Sequence, residues 1–339
     1  MAYTADWVGP AYSHRWPTPP ADVLANIHLV GDTHMYLDEP TDPDRVWPTP
    51  RENTNYDAVG RDLQSGVLRA IPDFTLQCGD TVDNAKPDST HRNAAEVRIV
   101  KQWLGHYDLE WYKAVGNHDT PYNWVSGHDW GATWGSPSGN TYYTLDHLGG
   151  YRVIVLGWDD KQWHSGEFRI NVGPLTPDIL AWLDYQLGRD SRPTFLAAHA
   201  PLPHEVTANP NNNWGTHQST RSAAGLIDTE ATALLSIIDD YPHVVGWLHA
   251  HSHDPYNSAG RGANVNLYTN STHGLGRTIA TVDTGAILQK PNDRVPPVTS
   301  YVSLADDGKT VEVRWRHHDH KLWLGDVSGG GRVKTVTVP

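Results

Sequence analysis

The chain has 339 residues, and its acidic side chains outnumber its basic ones by 39 to 26, which gives a formal net charge of −13 at pH 7. This charge argues against tight nonspecific binding to nucleic acid or to an anionic membrane, because such binding needs an excess of Lys and Arg to displace counterions. A single cysteine excludes an intrachain disulfide, no apolar run is long enough to cross a bilayer, and the N-terminus lacks the pattern of a cleaved signal, so we expect a soluble cytoplasmic protein.

Short β-prone runs, each followed by Gly or a polar residue, recur along the chain and predict buried strands that deliver side chains to loops at one edge of a sheet. These runs are residues 26–30, 74–78, 111–115, 195–198 and 244–248. Helices that cross between parallel strands are predicted over 56–70 and 92–104. Strands of a second sheet are predicted over 141–145 and 151–156, and further strands over 264–268, 278–282, 298–304 and 310–316.

Each of the five runs ends in a cluster of Asp, His or Asn. In chain order the clusters are Asp32-Thr33-His34, Gly79-Asp80, Gly116-Asn117-His118-Asp119, His199 and His251-Ser252-His253. Ligands of open α/β sheets collect outside the carboxyl ends of the strands, so five segments of this kind predict one shared site. The clusters supply carboxylate, carboxamide and imidazole donors for two divalent metals, of types that suit Mn, Fe, Zn or Ni better than Ca.

One domain is the economical interpretation of the length, because a cut between Asp32 and His253 would divide this site. We expect an N-terminal extension over 1–25, a domain over 26–325 and a C-terminal tail over 326–339. Loop insertions in the domain are expected at 35–55, 120–165 and 204–222.

The order of the clusters resembles the calcineurin-like metallophosphoesterase superfamily, over roughly 27–316. The run Gly79-Asp80-Thr81-Val82-Asp83-Asn84 is similar to the second motif of that family in full, and 175–183 looks like the helix that commonly precedes its fourth motif. The resemblance implies an α/β fold, a four-layer α/β/β/α sandwich of two mixed sheets flanked by helices. It also implies a dimetal-dependent hydrolase of a small phosphodiester or phosphomonoester, which uses a hydroxide that bridges the metals as its nucleophile.

The ligands implied by the resemblance form two triads and one shared carboxylate. One triad is Asp32, His34 and His253, and the other is Asn117, His199 and His251. The carboxylate that bridges both metals is Asp80.

The resemblance also implies the catalytic residues. His118 follows the Asn ligand directly, so it would stabilise charge on the phosphoryl group or protonate the leaving oxygen. Asp119 is placed to orient His118.

The fifth cluster departs from the family pattern and leaves two registers open. The family usually has Gly-His-x-His there, whereas this chain has His249-Ala250-His251-Ser252-His253. We prefer His251 and His253 as the ligands because of their distance from the preceding apolar run, with His249 and His251 as the alternative. The chain also lacks a Tyr just after Gly79-Asp80, which argues against the purple acid phosphatase branch.

Three further features admit a bland interpretation. Cys78 ends a buried run and is expected to behave as a small hydrophobic residue. His317, His318 and His320 are expected to form a cluster at the surface or beside another site rather than a second metal site. Tryptophans in the 120–165 insertion either seal a loop-rich surface or form an aromatic wall for substrate; they are Trp124, Trp130, Trp134, Trp158 and Trp163.

A second class of function stays open beside the enzyme. The chain could be a metal-binding component of a larger assembly, such as a phage virion or tail, with Trp-rich loops that contact protein partners. The complete set of ligands together with His118 and Asp119 favours the enzyme.

Overall fold

The computed structural model of the chain shows two mixed β-sheets packed face to face, with helices on their outer faces. The structure describes residues 23–33, 54–64, 72–81, 111–116, 119, 136–146, 149–157, 175–202, 228–251, 265–271, 274–284, 287, 289–290, 293–294, 297–323 and 336–338.

Elements are numbered here in chain order. The helices are α1 (Thr54–Leu63), α2 (Pro177–Gly188) and α3 (Asp228–Asp240). The strands are β1 (Ala25–Val30), β2 (Phe74–Gln77), β3 (Trp111–Lys113), β4 (Tyr143–Leu145), β5 (Arg152–Val155), β6 (Thr194–Ala197), β7 (Val244–His249), β8 (Val265–Asn270), β9 (Leu275–Asp283), β10 (Gln289–Lys290), β11 (Asp293–Arg294), β12 (Val298–Leu304), β13 (Thr310–His317), β14 (Leu322–Trp323) and β15 (Val336–Thr337).

The first sheet has the strand order β14-β13-β12-β1-β2-β3, and β15 pairs with β13. Strands β1, β2 and β3 are parallel, with Ile27 opposite Phe74 and Gln77 opposite Lys113. Their carboxyl ends therefore lie at one edge, which is where a parallel sheet presents its loops to a ligand. Part of the predicted C-terminal tail, Val336–Thr337, belongs to this sheet.

The second sheet has the order β4-β5-β6-β7-β9-β8. Its central strands β5, β6, β7 and β9 are parallel, and His249 at the end of β7 lies opposite Asp283 at the end of β9. Strands β10 and β11 form a separate pair.

Alternation along the strands places one apolar face of each sheet in a shared core. Ile27 and Leu29 of the first sheet are buried together with Val153, Phe195 and Ala197 of the second. Successive side chains of a strand point to opposite faces, so the intervening residues face outward. Burying the two inner faces against each other removes their apolar surface from water, which is the main force that holds the sheets together.

Helices α2 and α3 cover the outer face of the second sheet with a second apolar cluster. Helix α2 begins where the sequence favours it, because Thr176 caps it by accepting a hydrogen bond from the Ile179 N–H and Pro177 occupies its first turn. Leu183 and Leu187 of α2 are fully buried there. Helix α1 lies over the first sheet, where Asp62 contacts Arg316 of β13.

The predicted fold class is confirmed, since two mixed sheets carry helices on their outer faces. The predicted strands along both sheets are present, and β9 and β13 extend beyond their predicted ends. No helix in the described ranges has the length and apolar character needed to cross a membrane.

The helix predicted over 56–70 is present as α1, but it begins two residues earlier, at Thr54, and ends at Leu63; residues 65–70 lie outside the described residues. Its start takes Thr54 and Asn55 out of the predicted 35–55 loop. Ser65 and Gly66 follow shortly after its end in the sequence. Both have low helix propensity, which the prediction from apolar periodicity did not take into account. The predicted helix over 92–104 lies outside the described residues.

Candidate metal centre

Three of the predicted ligands meet at the sheet edge. Asp80, His199 and His251 each offer one ligand atom, and these atoms all lie within 4.8 Å of one another. His199 Nε2 lies 3.2 Å from Asp80 Oδ2 and 3.0 Å from His251 Nδ1. All three side chains are buried. Residues from both sheets therefore meet at one point, although 171 positions separate Asp80 from His251 (251 − 80).

A backbone contact fixes the tautomer of His199. Its Nδ1 lies 2.8 Å from the carbonyl oxygen of Cys78, and a carbonyl oxygen can only accept a hydrogen bond. Nδ1 must therefore carry the hydrogen, which leaves Nε2 of the neutral ring with a lone pair that faces Asp80. Metal-ligating histidines are held in this way, with the other ring nitrogen donating to a backbone carbonyl.

Buried acidic groups surround this cluster. Asp32 is fully buried at the end of β1, and burial raises the pKa of its carboxyl well above the usual range. The neighbouring charges of Asp80, Asp283 and Asp119 raise that pKa further, and a backbone hydrogen bond from His251 acts in the opposite direction. A group of buried carboxylates is costly unless a positive charge lies among them.

Backbone conformation marks the same residues. Among the described residues, four that are not glycine have a positive φ, and three of these are Asp32 (44°), Asp80 (51°) and His251 (69°). The left-handed region costs a side-chain-bearing residue of order 1–3 kcal/mol, and such strain collects at functional sites. Asp32 and His251 lie two residues after the ends of β1 and β7, and Asp80 lies three residues after the end of β2, so each left-handed residue lies in the loop that follows its strand.

Two glycines allow the loops to touch. A Cβ at Gly116 would lie 2.1 Å from the backbone nitrogen of Asp80 and 2.2 Å from its Oδ1. A Cβ at Gly79 would lie 2.5 Å from Nδ1 of His199, and Gly79 has a φ of 94°. Only glycine permits these approaches, so Gly79 before Asp80 and Gly116 before Asn117 are required by packing.

Side chains below the ligands brace their loops. Gln77 accepts a hydrogen bond from the Gly79 N–H (2.7 Å) and donates to the Gly79 carbonyl (3.0 Å). Thr33 donates to the carbonyl of Thr81 (2.9 Å), and the Asp32 N–H donates to the carbonyl of Gly79 (3.2 Å). The loops after β1 and β2 therefore form one hydrogen-bonded unit.

Asp119 joins the loop after β3 to this unit. Its Oδ1 accepts the N–H of Thr81 (2.9 Å), and its Oδ2 accepts the N–H of Gly116 (2.8 Å). The Nζ of Lys113, at the end of β3, lies 2.8 Å from Oδ1, and both side chains are almost fully buried.

Four predicted site residues lie outside the described residues, namely His34, Asn117, His118 and His253. His249 is fully buried, and its Nδ1 lies 3.1 Å from the carbonyl oxygen of Ala250, whereas His251 lies against His199. The ligand assignment and the choice between the two registers stay predictions. Trp124, Trp130, Trp134, Trp158 and Trp163 also lie outside the described residues.

The prediction for the histidines near the C-terminus needs correction. His318 is buried and its ring nitrogens face Asp62 (3.0 Å) and Thr299 (2.6 Å), and His317 is buried as well. Of the three, His320 alone is exposed. The sequence did not show that α1 covers this face of the first sheet. Cys78 is buried in the core between the sheets, where burial raises the pKa of its thiol.

Sequence reasoning missed Lys113, Gln77 and Asp283. Lys113 and Gln77 are polar residues inside apolar runs that were interpreted as buried strands, which was the signal that could have found them. Asp283 directly follows the strand predicted over 278–282, which is the same kind of signal as at the five clusters, but no histidine or asparagine accompanies it.

The described donors fit divalent cations of the first transition series. A carboxylate oxygen and two imidazole nitrogens converge, and further carboxylates lie beside them. Imidazole and carboxylate together suit Mn, Fe, Zn or Ni. One cation among these groups would offset the negative charge that burial makes costly.

Comparisons with known proteins agree with this geometry. The family model for the calcineurin-like phosphoesterases matches residues 25–255. A probable cyclic nucleotide phosphodiesterase of Synechococcus sp. is 32% identical over 176 residues, which is 52% of this chain and 58% of that protein. The chain therefore spans little more than half the length of this curated relative.

The fold has a counterpart among solved structures. The crystal structure of a dimetal phosphatase from Danio rerio aligns with 94% of this chain and 100% of its own, with a TM-score of 0.59 and 13% identity. At this identity the likeness concerns the fold.

Proposed function

We propose that this chain, which belongs to the calcineurin-like phosphoesterase family, is a hydrolase of phosphoesters that depends on two divalent metal ions. The observation that carries the proposal is the meeting of Asp80, His199 and His251 in one buried cluster beside Asp32. When bound, two such cations supply Lewis-acid activation of water and neutralise the phosphoryl oxygens of an in-line displacement.

The residues of the chain have separate tasks in this proposal. The cations would be held by Asp32, His34, Asp80, Asn117, His199, His251 and His253. The Nδ1–H of His199 keeps that ring oriented on the Cys78 carbonyl, so that Nε2 stays available as a donor. His118 would give a proton to the leaving oxygen of the substrate, and a positioned acid of this kind contributes about 10²–10⁴-fold to a rate.

We propose a phosphodiester as the substrate class, and a cyclic nucleotide as its first member to test. The support is the relative from Synechococcus, whose name describes a probable cyclic nucleotide phosphodiesterase. An acidic chain can still accept a small anion, because the cations would make the cleft locally positive.

The test uses protein reconstituted with Mn²⁺ and three substrates: bis-p-nitrophenyl phosphate, p-nitrophenyl phosphate and 3′,5′-cyclic AMP. We expect turnover of both diesters to exceed that of the monoester. A His251→Ala variant should lose at least about 100-fold in activity, because removal of a ligand costs more than removal of one of its supporting contacts.

The matched control is His320→Ala, which removes an exposed histidine far along the chain from the ligands. It should keep both the activity and the metal content of the wild type. Protein that binds two equivalents of Mn²⁺ and turns over none of the three substrates would contradict the enzymatic proposal and favour a metal-binding component of a larger assembly.

A further inference from the structure

Lys113 is a buried cation that the ligand motifs do not include. It ends β3 with 5% of its surface exposed, and its ammonium forms an ion pair with Asp119 at 2.8 Å. A long charged side chain is seldom buried unless it is paired, so this position needs a specific reason.

The partner of Lys113 links two ligand loops. Oδ1 of Asp119 accepts the N–H of Thr81, the residue after Asp80, and Oδ2 accepts the N–H of Gly116, the residue before Asn117. The N–H of Asp119 also donates to the Gly116 carbonyl (3.1 Å), so the two residues that flank Asn117 and His118 in sequence are bonded to each other. Both carboxylate oxygens are thus engaged by backbone amides, which points to a positioning role.

The second sheet fixes the base of this arrangement. Tyr143 of β4 accepts the N–H of Lys113 (2.9 Å) and donates its hydroxyl hydrogen to the Lys113 carbonyl (2.8 Å). Strand β3 is the edge of the first sheet and β4 is the edge of the second. The backbone of Lys113 is therefore held across the interface between the sheets.

The contact between Gly116 and Asp80 leaves no room for a larger side chain at position 116. Gly116 approaches Asp80 so closely that a methyl group there would lie 2.2 Å from its carboxylate. A small shift of Gly116 would therefore move Asp80 as well.

We propose that Lys113 is a positioning residue of the metal centre, which holds Asp119 so that its carboxylate clamps the Asp80 loop to Gly116, the residue before Asn117. Any effect of Lys113 on turnover depends on the proposed function, whereas the test below measures metal binding and does not require turnover. Outer contacts of this kind typically change metal affinity by about 10–100-fold when removed.

The experiment measures Mn²⁺ binding by titration calorimetry, together with the electron paramagnetic resonance spectrum of the loaded protein. Lys113→Met keeps the length of the side chain and removes its charge, and Lys113→Arg keeps the charge. We expect Lys113→Met to weaken Mn²⁺ binding by about 10–100-fold and to lose the signal of a coupled Mn pair, with partial rescue in Lys113→Arg.

Asp119→Asn tests the same clamp from the other side. An amide nitrogen in place of one oxygen would face a backbone N–H, so one of the two loop bonds must break. The double variant Lys113→Met/Asp119→Asn should bind Mn²⁺ about as weakly as either single variant, because the two residues act through one contact. The double variant also leaves no unpaired carboxylate at position 119, so it tests the proposal if Lys113→Met does not fold.

Lys309→Met, at an exposed turn, is the matched control and should bind Mn²⁺ like the wild type. Wild-type affinity and an unchanged spectrum in Lys113→Met or in the double variant would overturn the proposal. Wild-type protein that binds two Mn²⁺ without turnover would instead contradict the proposed function, while the comparison of affinities still decides the role of Lys113.

Discussion

The outer faces of the two sheets are covered by helices in different ways. On the second sheet, Ile154, Leu196 and Trp247 pack against apolar residues of α2 and α3. On the first sheet, the corresponding face carries a polar network under α1, which consists of His28, Asp62, Thr75, Thr299, Arg316 and His318. Both faces are buried, but they are held by different forces.

The polar network is a continuous chain of hydrogen bonds. His28 contacts Thr75 (3.0 Å) and Thr299 (2.8 Å) through its two ring nitrogens. The hydroxyl of Thr299 also contacts Nε2 of His318 (2.6 Å). Apolar contact is non-directional and tolerates small shifts, whereas hydrogen bonds require defined geometry and penalise the loss of one partner. The first sheet is therefore expected to be sensitive to single substitutions and to pH, and the second to lost volume.

Among the variants considered, removal of Asp62 should cause the largest loss of stability. Arg316 contacts Asp62 at 2.8 Å and 3.0 Å, and His318 contacts it at 3.0 Å, so Asp62→Ala leaves a buried guanidinium without its carboxylate. We expect the free energy of unfolding to fall by about 3–5 kcal/mol. Urea denaturation followed by circular dichroism measures it.

Arg61→Ala is the control for this variant, because Arg61 is exposed on the same helix. Its effect should stay within about 0.5 kcal/mol. Equal stability of Asp62→Ala and the wild type would show that the network does not hold α1 to the sheet.

Loss of volume is the corresponding change on the second sheet. Leu183 of α2 is fully buried in the apolar cluster, and Leu183→Ala should cost about 2–5 kcal/mol in the same measurement. The loss should be equal at pH 7 and pH 5.5, because no titrating group is removed. Tyr185→Ala on the exposed side of α2, where 65% of the residue is exposed, should change stability by less than about 0.5 kcal/mol.

Acid should distinguish the two sheets through His317, which ends β13 next to Arg316 but is not a member of the polar network. Burial, with help from the neighbouring charges of His320, His318 and Arg316, lowers the pKa of His317 to about 3. His317 therefore stays neutral in the native state at a pH where the same residue in the unfolded chain, with an ordinary pKa of about 6.5, binds a proton. The free energy of unfolding is therefore retained above pH 6.5 and falls as the pH drops from 6.5 toward 3.

The measurement compares wild type with His317→Asn at pH 7 and pH 5.5. Asn can still accept the N–H of His320, which donates to the His317 ring. The wild type should lose about 1 kcal/mol more than the variant over this interval. An identical loss in both proteins would show that His317 accepts a proton in the native state.

The smallest expected loss of stability comes from the N-terminal cap of α2, a polar contact beside the apolar cluster of the second sheet. Thr176 caps α2 by accepting the N–H of Ile179 at 3.4 Å. Thr176→Ala should reduce the free energy of unfolding by about 1 kcal/mol. Thr232→Ala, at an exposed position of α3, serves as the control, and a larger effect there than at Thr176 would contradict the capping role.

Much of the fold could be predicted from local pattern. The apolar runs before Asp32, Asp80 and His199 are buried strands, and the apolar side chains that made them recognisable help to fill the core between the sheets. A helix at 175–183 was expected from the family resemblance, and α2 spans Pro177–Gly188 there. The bounds of α1 were not predicted, because periodicity alone marks helix ends poorly.

The candidate site could be predicted in part for the same reason. Asp80, His199 and His251 were found because each follows a strand, and the described structure brings them together. Lys113, Gln77 and Asp283 were not found, because their function depends on which loop or strand lies beside them. The network of His318 was misjudged as partly surface for the same reason, since its cover comes from Asp62, 256 positions away.

The sequence by itself determined the residue types of the candidate metal centre and the strand ends that deliver them, because the spacing of apolar and polar residues is a local property of the chain. Tertiary structure alone decided which side chains support that centre and which face of each sheet is polar. Such contacts join residues far apart in the chain, and their strength depends on burial and on distances of a few ångströms, neither of which a linear pattern contains.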